Sequence, residues 1–464
     1  MNYEELIKQE LQKNKQFLIW YTGSRNQAEY IESYSGFLKN NSILLPLPDS
    51  AIKQPSPVLP KTLIDYLFLD FPDIIVMSKN NKQPIIGIEI LEQKPVGWNH
   101  TQRFSRAAAS AIRNIPFAYI MPQKRYLFDK GKPKKGERQY IIGGEKYKEN
   151  LRKEFQLLNS LYKLTTIHKI PCLPFFWPIN DQLKYLSEGL IYNDDPILRW
   201  EQLPPAPVNK NGEIFEEILD FFQFLDLCID YFMKGKKNED LIEEDIVQKH
   251  LLKIDPQYTN LYILKNVTLK NPDGGNIKIA ERVATESFVP FLENRTNLKP
   301  KNQAFFLKLL QSEIFKQFLS KNETVVVNID ADPFKGGRGF SDPYSGVISS
   351  FDYRYCRNVT GNPDILKRDT NLVFVCLQKN ATSFFENLLK EHFKADCLDN
   401  DFPNMKISWQ EKEKVSELAE ITKRLASFPQ ASLKKELKIF FYFCDLIIFS
   451  DNLFLGYPVL RLKV

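Results

Sequence analysis

The sequence predicts an α/β protein, with a mixed-sheet core towards the amino terminus, a helical middle and a carboxy-terminal α/β region. Three observations lead there. Two β-rich apolar runs, "DIIVMS" and "PIIGIEIL", flank a polar "KNNKQ", which marks a hairpin with a longer turn. "TQRFSRAAASAIRN" then reads as a helix by propensity, and "PFAYIMP" as a short buried strand between prolines. A strand, a helix and a strand in that order form a crossover unit, which is nearly always right-handed with parallel strands. Further on, "EIFEEILDFFQFLDLCIDYFM" and "NQAFFLKLLQSEIFKQFLSK" read as helices. After them apolar runs and helices alternate again, from "TVVVNIDADPF" through "TNLVFVCLQ" and "SFFENLLKEHF" to "FFYFCDLIIFS". The expected division is residues 1–180, 181–320 and 321–464.

Taken in order, Met1 to Lys15 form an amphipathic helix. Ser24 or Asn26 caps a second helix, whose apolar stripe is Tyr30, Ile31, Tyr34 and Phe37. The proline-rich "LPLPDSAIKQPSPVLPK" is loop. Beyond the crossover comes the basic loop "QKRYLFDKGKPKKGERQ", then the helix "KENLRKEFQLLNSLYKL". "IPCLPFFWP" is buried but broken by prolines, and "LRWEQLPPAPVNKNGE" is a linker or long surface loop. "FDYRYCRN" reads as a half-buried strand, with Tyr353 and Tyr355 facing away from Arg354.

Composition narrows the functional class. At 464 residues the chain exceeds one ordinary domain, and with 43% hydrophobic residues it can build more than one core. The 63 basic and 57 acidic side chains leave only +6, which by itself does not mark a nucleic-acid binder but permits a basic face. Six cysteines without a CxxC pair, and four dispersed histidines, point to a reducing cytoplasm and away from a zinc centre. The charged start is no signal peptide, and "IFFYFCDLIIF" is too short to span a bilayer and carries Asp445 at its middle.

The hairpin carries the chemistry. Its second strand is apolar on both faces, so it is buried, and an acid within it needs a partner. Asp73 opens the first strand and Glu89 lies near the end of the second, which brings the two carboxylates to one end of the sheet. Nearby carboxylates repel unless neutralised, and magnesium, small and oxygen-seeking, does that well. Such an ion activates water for attack on a phosphodiester and stabilises the charge that develops. In "GIEILEQKP", Glu89 has Leu91 where a lysine would help, while Glu92 and Lys94 pair acid with lysine three residues on. A bulge at Leu91 would bring Glu92 and Lys94 round to the Glu89 face. Asp73 and Glu89 are therefore the expected metal ligands. Glu92 is a further candidate ligand, and Lys94 the cation near the attacking water or scissile phosphate.

"FPDIIV…IGIEILEQK" resembles the PD-(D/E)xK nuclease superfamily, whose core is a hairpin carrying Pro-Asp, then acid-x-Lys, then a helix and a parallel strand. Pro72-Asp73 matches the first element, and Glu89, or Glu92 with Lys94, the second; the resemblance covers roughly residues 24–122. It implies a restriction-endonuclease-like core and a magnesium-dependent endodeoxyribonuclease, first of all a type II restriction enzyme. The alternatives are a structure-specific repair or recombination nuclease, and a non-catalytic nucleic-acid-binding protein with a degenerate core. Gln102, Arg103 and Arg106, at the start of the following helix, are candidates to hold DNA phosphate or a water beside the site. Lys124 and Arg125, in the basic loop, are candidates for phosphate contacts. Glu29 or Glu32 is a further candidate acid. The partner is double-stranded DNA, its bases read by the carboxy-terminal region, and a palindromic target would call for a homodimer.

Overall fold

Alternation along short apolar strands builds two mixed sheets in the computed structural model. The structure describes residues 2–48, 57–67, 69–91, 101, 103–122, 137–140, 145–177, 185–186, 189–193, 216–255, 277–287, 316–329, 342–357, 368, 370–376, 406–408, 435–449 and 452–460. They fall into two units, Met1–Lys265 and Asn266–Val464. No helix among the described residues is long and apolar enough to cross a membrane.

Unit 1 runs α1 (Tyr3–Leu11), β1 (Phe17–Tyr21), α2 (Arg25–Tyr34), β2 (Ser42–Pro46), α3 (Lys61–Tyr66), β3 (Ile74–Ser78), β4 (Pro84–Ile90), α4 (Phe104–Ile112), β5 (Phe117–Pro122) and β6 (Glu137–Tyr140). It continues with α5 (Glu145–His168), β7 (Cys172–Trp177), β8 (Tyr185–Leu186), β9 (Gly189–Asn193), α6 (Glu216–Met233) and α7 (Asp245–Ile254). The main sheet has the order β2-β1-β3-β4-β5-β7, and β6-β9-β8 form a small second one. β3 is antiparallel to both β1 and β4, whereas β4, β5 and β7 run parallel. The expected hairpin and crossover are both present.

Each strand sends alternate residues to opposite faces. Ile74, Val76, Ile86, Ile88, Ile90, Ala118 and Ile120 meet Ile31 of α2 and Phe221, Phe224 and Leu225 of α6. Leu18, Trp20, Ile75 and Met77 meet Ile7 of α1 and Leu63 and Tyr66 of α3. Helix α4 packs on β4 and β5. By this alternation Asp73, Gly87, Glu89 and Tyr119 leave the sheet on the face that α3 and α4 cover.

Gly87 explains how closely those helices approach. A Cβ there would lie 2.1 Å from the Tyr66 hydroxyl, 3.1 Å from Pro72 Cγ and 3.2 Å from Ser110 Oγ. Gly87→Ala is expected to cost about 1–3 kcal/mol by overpacking and to push α4 off the strand that bears Glu89. Thermal melting checks the cost, and a variant that melts with the wild type would show that α3 and α4 yield.

Several expectations change. Helix α6, expected in the middle region, packs on β7 and reaches β4, and α7, which the sequence did not announce, also packs on β7; both fall in unit 1, while most of the other expected middle helix, residues 302–315, lies outside the described residues. The prolines of "IPCLPFFWP" do not break the strand: β7 runs through Pro174 at the sheet edge, where a missing N–H is tolerated. The Leu91 N–H donates to Ile120 O at 3.0 Å, and the bulge expected there turns on Glu92, which lies outside the described residues; within the β3–β4 ladder the irregularity lies at Val76/Met77.

Unit 2 contains β10 (Ile277–Ala284), α8 (Lys316–Leu319), β11 (Glu323–Ile329), α9 (Asp342–Phe351), β12 (Thr370–Cys376), β13 (Lys406–Ser408), α10 (Lys435–Phe443), β14 (Leu446–Phe449), β15 (Asn452–Leu455) and α11 (Tyr457–Leu460). Its sheet order is β10-β11-β12-β14-β15-β13, with β11, β12 and β14 parallel. "DYRYC" is a π-helix, Asp352–Cys356, and not a strand. Arg357 lies inward, its Nε 2.6 Å from Asp352 Oδ2 and its guanidinium over the Tyr353 ring. Asp445, buried in an apolar stretch, is held by the Arg368 guanidinium and accepts the Leu372 N–H at 2.7 Å.

Candidate active site

Asp73 and Glu89 meet where the β3–β4 ladder ends. Ile74 and Ile88 are its terminal pair, and beyond them side chains take over the pairing. The Asp73 N–H donates to Glu89 Oε2 at 3.3 Å, and the Ile90 N–H donates to Asp73 Oδ2 at 3.0 Å. The carboxylates therefore face each other across the strand ends, as their sequence positions require.

The start of α4 answers their charge. Arg106 Nη1 donates to Asp73 Oδ1 at 2.9 Å and to Glu89 Oε2 at 2.5 Å. Arg103 Nη1 donates to Glu89 Oε1 at 2.6 Å and lies 3.5 Å from Asp73 Oδ1. The two arginines expected to face DNA thus turn inward onto the acids. One turn of helix separates residues 103 and 106, so both guanidiniums reach the same spot. Asp70, which the sequence reading passed over, lies 3.8 Å from Arg106 Nε, and its other oxygen accepts from the Ser105 hydroxyl. Three carboxylates against two guanidiniums leave one formal negative charge.

Exposure grades the site. The Glu89 side chain is fully buried, Arg106 is 9% exposed, Asp73 13% and Arg103 29%, so solvent enters past Arg103 and Asp73. Burial pushes the Glu89 carboxyl up to about 7; Arg106 and Arg103 pull it down, while Asp73 adds to the rise. Asp73 and Glu89 offer the hard oxygens that magnesium prefers, so the donor set fits such an ion, but Arg106 bridges the same oxygens.

Glu92, Lys94, Gln102, Lys124 and Arg125 lie outside the described residues. Glu29 does not join the site: it pairs with Arg25 at 2.8 Å on an exposed helix face. Glu32 accepts from the Ser42 hydroxyl at 2.9 Å.

A second constellation went unread because its members are far apart in sequence. Glu217, Asp220 and His250 come within metal-ligating distance of one another. Asp220 Oδ2 is 2.9 Å from His250 Nε2 and 2.8 Å from Lys249 Nζ, while Lys253 pairs with Glu217. Nδ1 of the same ring lies 3.1 Å from Pro174 O, and the ring stacks on Phe175. With a lysine already at each carboxylate, the group ties α6 and α7 to β7.

No family model, curated protein or solved structure matches the chain.

Proposed function

We propose that unit 1 is the core of a magnesium-dependent endodeoxyribonuclease that hydrolyses DNA phosphodiester bonds, as in type II restriction enzymes. One observation carries the reading: carboxylate oxygens of Asp73 and Glu89, from adjacent antiparallel strands, converge at a site with more negative than positive charge. The order of hairpin, helix α4 and parallel strand β5 supports it, being the order of the resembled superfamily.

Asp73 and Glu89 would hold the ion. When bound, magnesium lowers the pKa of water and neutralises charge on the reacting phosphate. Arg103, the most exposed of the four charged side chains, is placed to leave Glu89 for a phosphate oxygen. Arg106, more deeply buried, keeps the carboxylates aligned. Lys94 and Glu92 retain the roles assigned from sequence, as cation near the phosphate and further ligand. Unit 2 would read the DNA sequence, and a palindromic target would call for a homodimer.

Supercoiled plasmid with Mg²⁺ or with chelator tests the reading. Discrete fragments with Mg²⁺ alone are expected. Smearing, or preference for branched DNA, would move the assignment to a repair or recombination nuclease. No cutting with Mg²⁺ or Mn²⁺ would remove the enzyme. A second reading, a non-catalytic core, is favoured by Arg106, whose guanidinium touches both carboxylates where a metal would lie.

The position of Glu89 makes cation binding depend on pH. Its carboxyl titrates near 7, against an ordinary value of 4.5. Below 7 a proton must leave before a cation binds, so apparent affinity for Ca²⁺ is expected to fall about tenfold per pH unit. Above 7 it levels off. Calorimetric titration at pH 6 and pH 8 reads this, and equal affinities would exclude Glu89 as a ligand. In the cation-free protein the raised value favours the fold fully below 4.5, and that contribution is lost as pH rises through 7.

A further inference from the structure

Tyr119 lies in the middle of β5, and its Cα pairs in register with that of Glu89. Neighbours in register send their side chains to the same face, so the phenol lies beneath α4 beside the acids. The residue is 1% exposed, and its hydroxyl has no hydrogen-bond partner among the described residues. Buried hydroxyls are nearly always paired, and an orphan donor beside ionised groups calls for an explanation. Glu89, Arg103, Arg106 and Asp73 are the charges that act on this phenol. Burial, with the Glu89 charge, pushes it well above the ordinary tyrosine range, so the hydroxyl keeps its proton and stays a donor.

Two comparisons in the same unit sharpen the point. Tyr66, on the same face, has its hydroxyl 2.5 Å from Ser110 Oγ and is structurally satisfied. Tyr30 also has an orphan hydroxyl, but its ring packs among Tyr34, Trp177 and Phe222. Of these three tyrosines, Tyr119 alone combines an unpaired donor with the charged groups of the candidate site.

We infer that Tyr119 is a positioning residue of this site, its hydroxyl donating a hydrogen bond to an oxygen that arrives with the substrate, either on the scissile phosphate or on the water that attacks it. The inference rests on the nuclease reading and adds a donor to it. In the free protein Arg103 and Arg106 satisfy the carboxylates and leave Tyr119 unused. When DNA enters past Arg103, the incoming oxygen meets a donor fixed by the sheet, which has no rotamer freedom left to lose.

Tyr119→Phe tests it, with Tyr66→Phe as the contrast. Tyr119→Phe is expected to melt no lower than the wild type, because the lost hydroxyl bonds nothing in the fold. Its kcat for plasmid cutting should fall roughly 10–100-fold, the worth of one hydrogen bond to a charged group, at unchanged Mg²⁺ dependence. Duplex DNA affinity in Ca²⁺, which needs no turnover, distinguishes the two oxygens. Weaker binding assigns the hydroxyl to the phosphate; unchanged binding with the fall in kcat assigns it to the water. Tyr66→Phe should lower the melting temperature and leave kcat alone. Wild-type kcat and wild-type DNA affinity in Tyr119→Phe would overturn the inference while the nuclease reading stands. A wild type that cuts nothing would remove both.

Discussion

Asp73→Asn and Glu89→Gln are each expected to abolish plasmid cutting, by roughly 10³-fold or more, while duplex binding in Ca²⁺-free buffer stays within a few-fold. The magnitude follows from charge. A carboxamide keeps the shape of each side chain but removes the negative oxygen, and a metal's transition-state stabilisation of about 4 kcal/mol corresponds to that factor. Binding survives because phosphate contacts across a DNA surface are spread over many side chains. Both variants also lose part of the pairing to Arg106 and Arg103, so melting must be read beside cutting. Either change leaves both guanidiniums with fewer acids, and because burial already raises the Glu89 carboxyl to about 7, Glu89→Gln is expected to cost the fold no more than Asp73→Asn. Unchanged cutting in both folded variants would remove the nuclease assignment and leave the carboxylates as structural partners of α4.

How much of this was legible in the sequence depends on the range of the interaction. The hairpin, α4 and β5 came from local patterns: apolar runs of strand length, a polar turn and an alanine-rich stretch. β1 and β2 went unread, because "FLIWY" and "SILLP" are only five residues each and pair in parallel across α2, with no hairpin to announce them. "DYRYC" alternates like a strand, yet Asp352 pairs with Arg357 and with Arg368, and that network holds the segment in a π-helix. The acids of the site were legible because a carboxylate in an all-apolar strand stands out. Their neutralisation by Arg103 and Arg106 was not, since the direction of a long side chain depends on where α4 docks. Tyr119 carried a signal that went unused: in parallel strands, the partner of a buried acid shares its face.

Arg106 decides between an ion pair that completes the fold and an ion pair that holds a metal site. Its Nη1 bridges Asp73 and Glu89, and its Nε approaches Asp70, all in a setting with little water. Arg106→Ala leaves three acids facing only Arg103, and breaking a buried pair from one side costs about 3–5 kcal/mol. For a unit of this size that is a drop in melting temperature of about 10 °C. The two readings then part. If the acids are a cation site, removing the guanidinium opens the space between them, and Ca²⁺ or Mg²⁺ should restore several degrees in the variant while moving the wild type much less. The rescue should weaken below pH 7, where Glu89 takes up a proton. If the core is non-catalytic and Arg106 has taken the metal's place for good, the divalent ions should do no more for the variant than equal ionic strength of NaCl. Double variants check the geometry: adding Glu89→Gln to Arg106→Ala should recover stability and abolish the rescue, because one change removes both the unpaired charge and the ligand. A rescue that survives without Glu89 would move the cation elsewhere, and with it the chemistry assigned to the end of this hairpin.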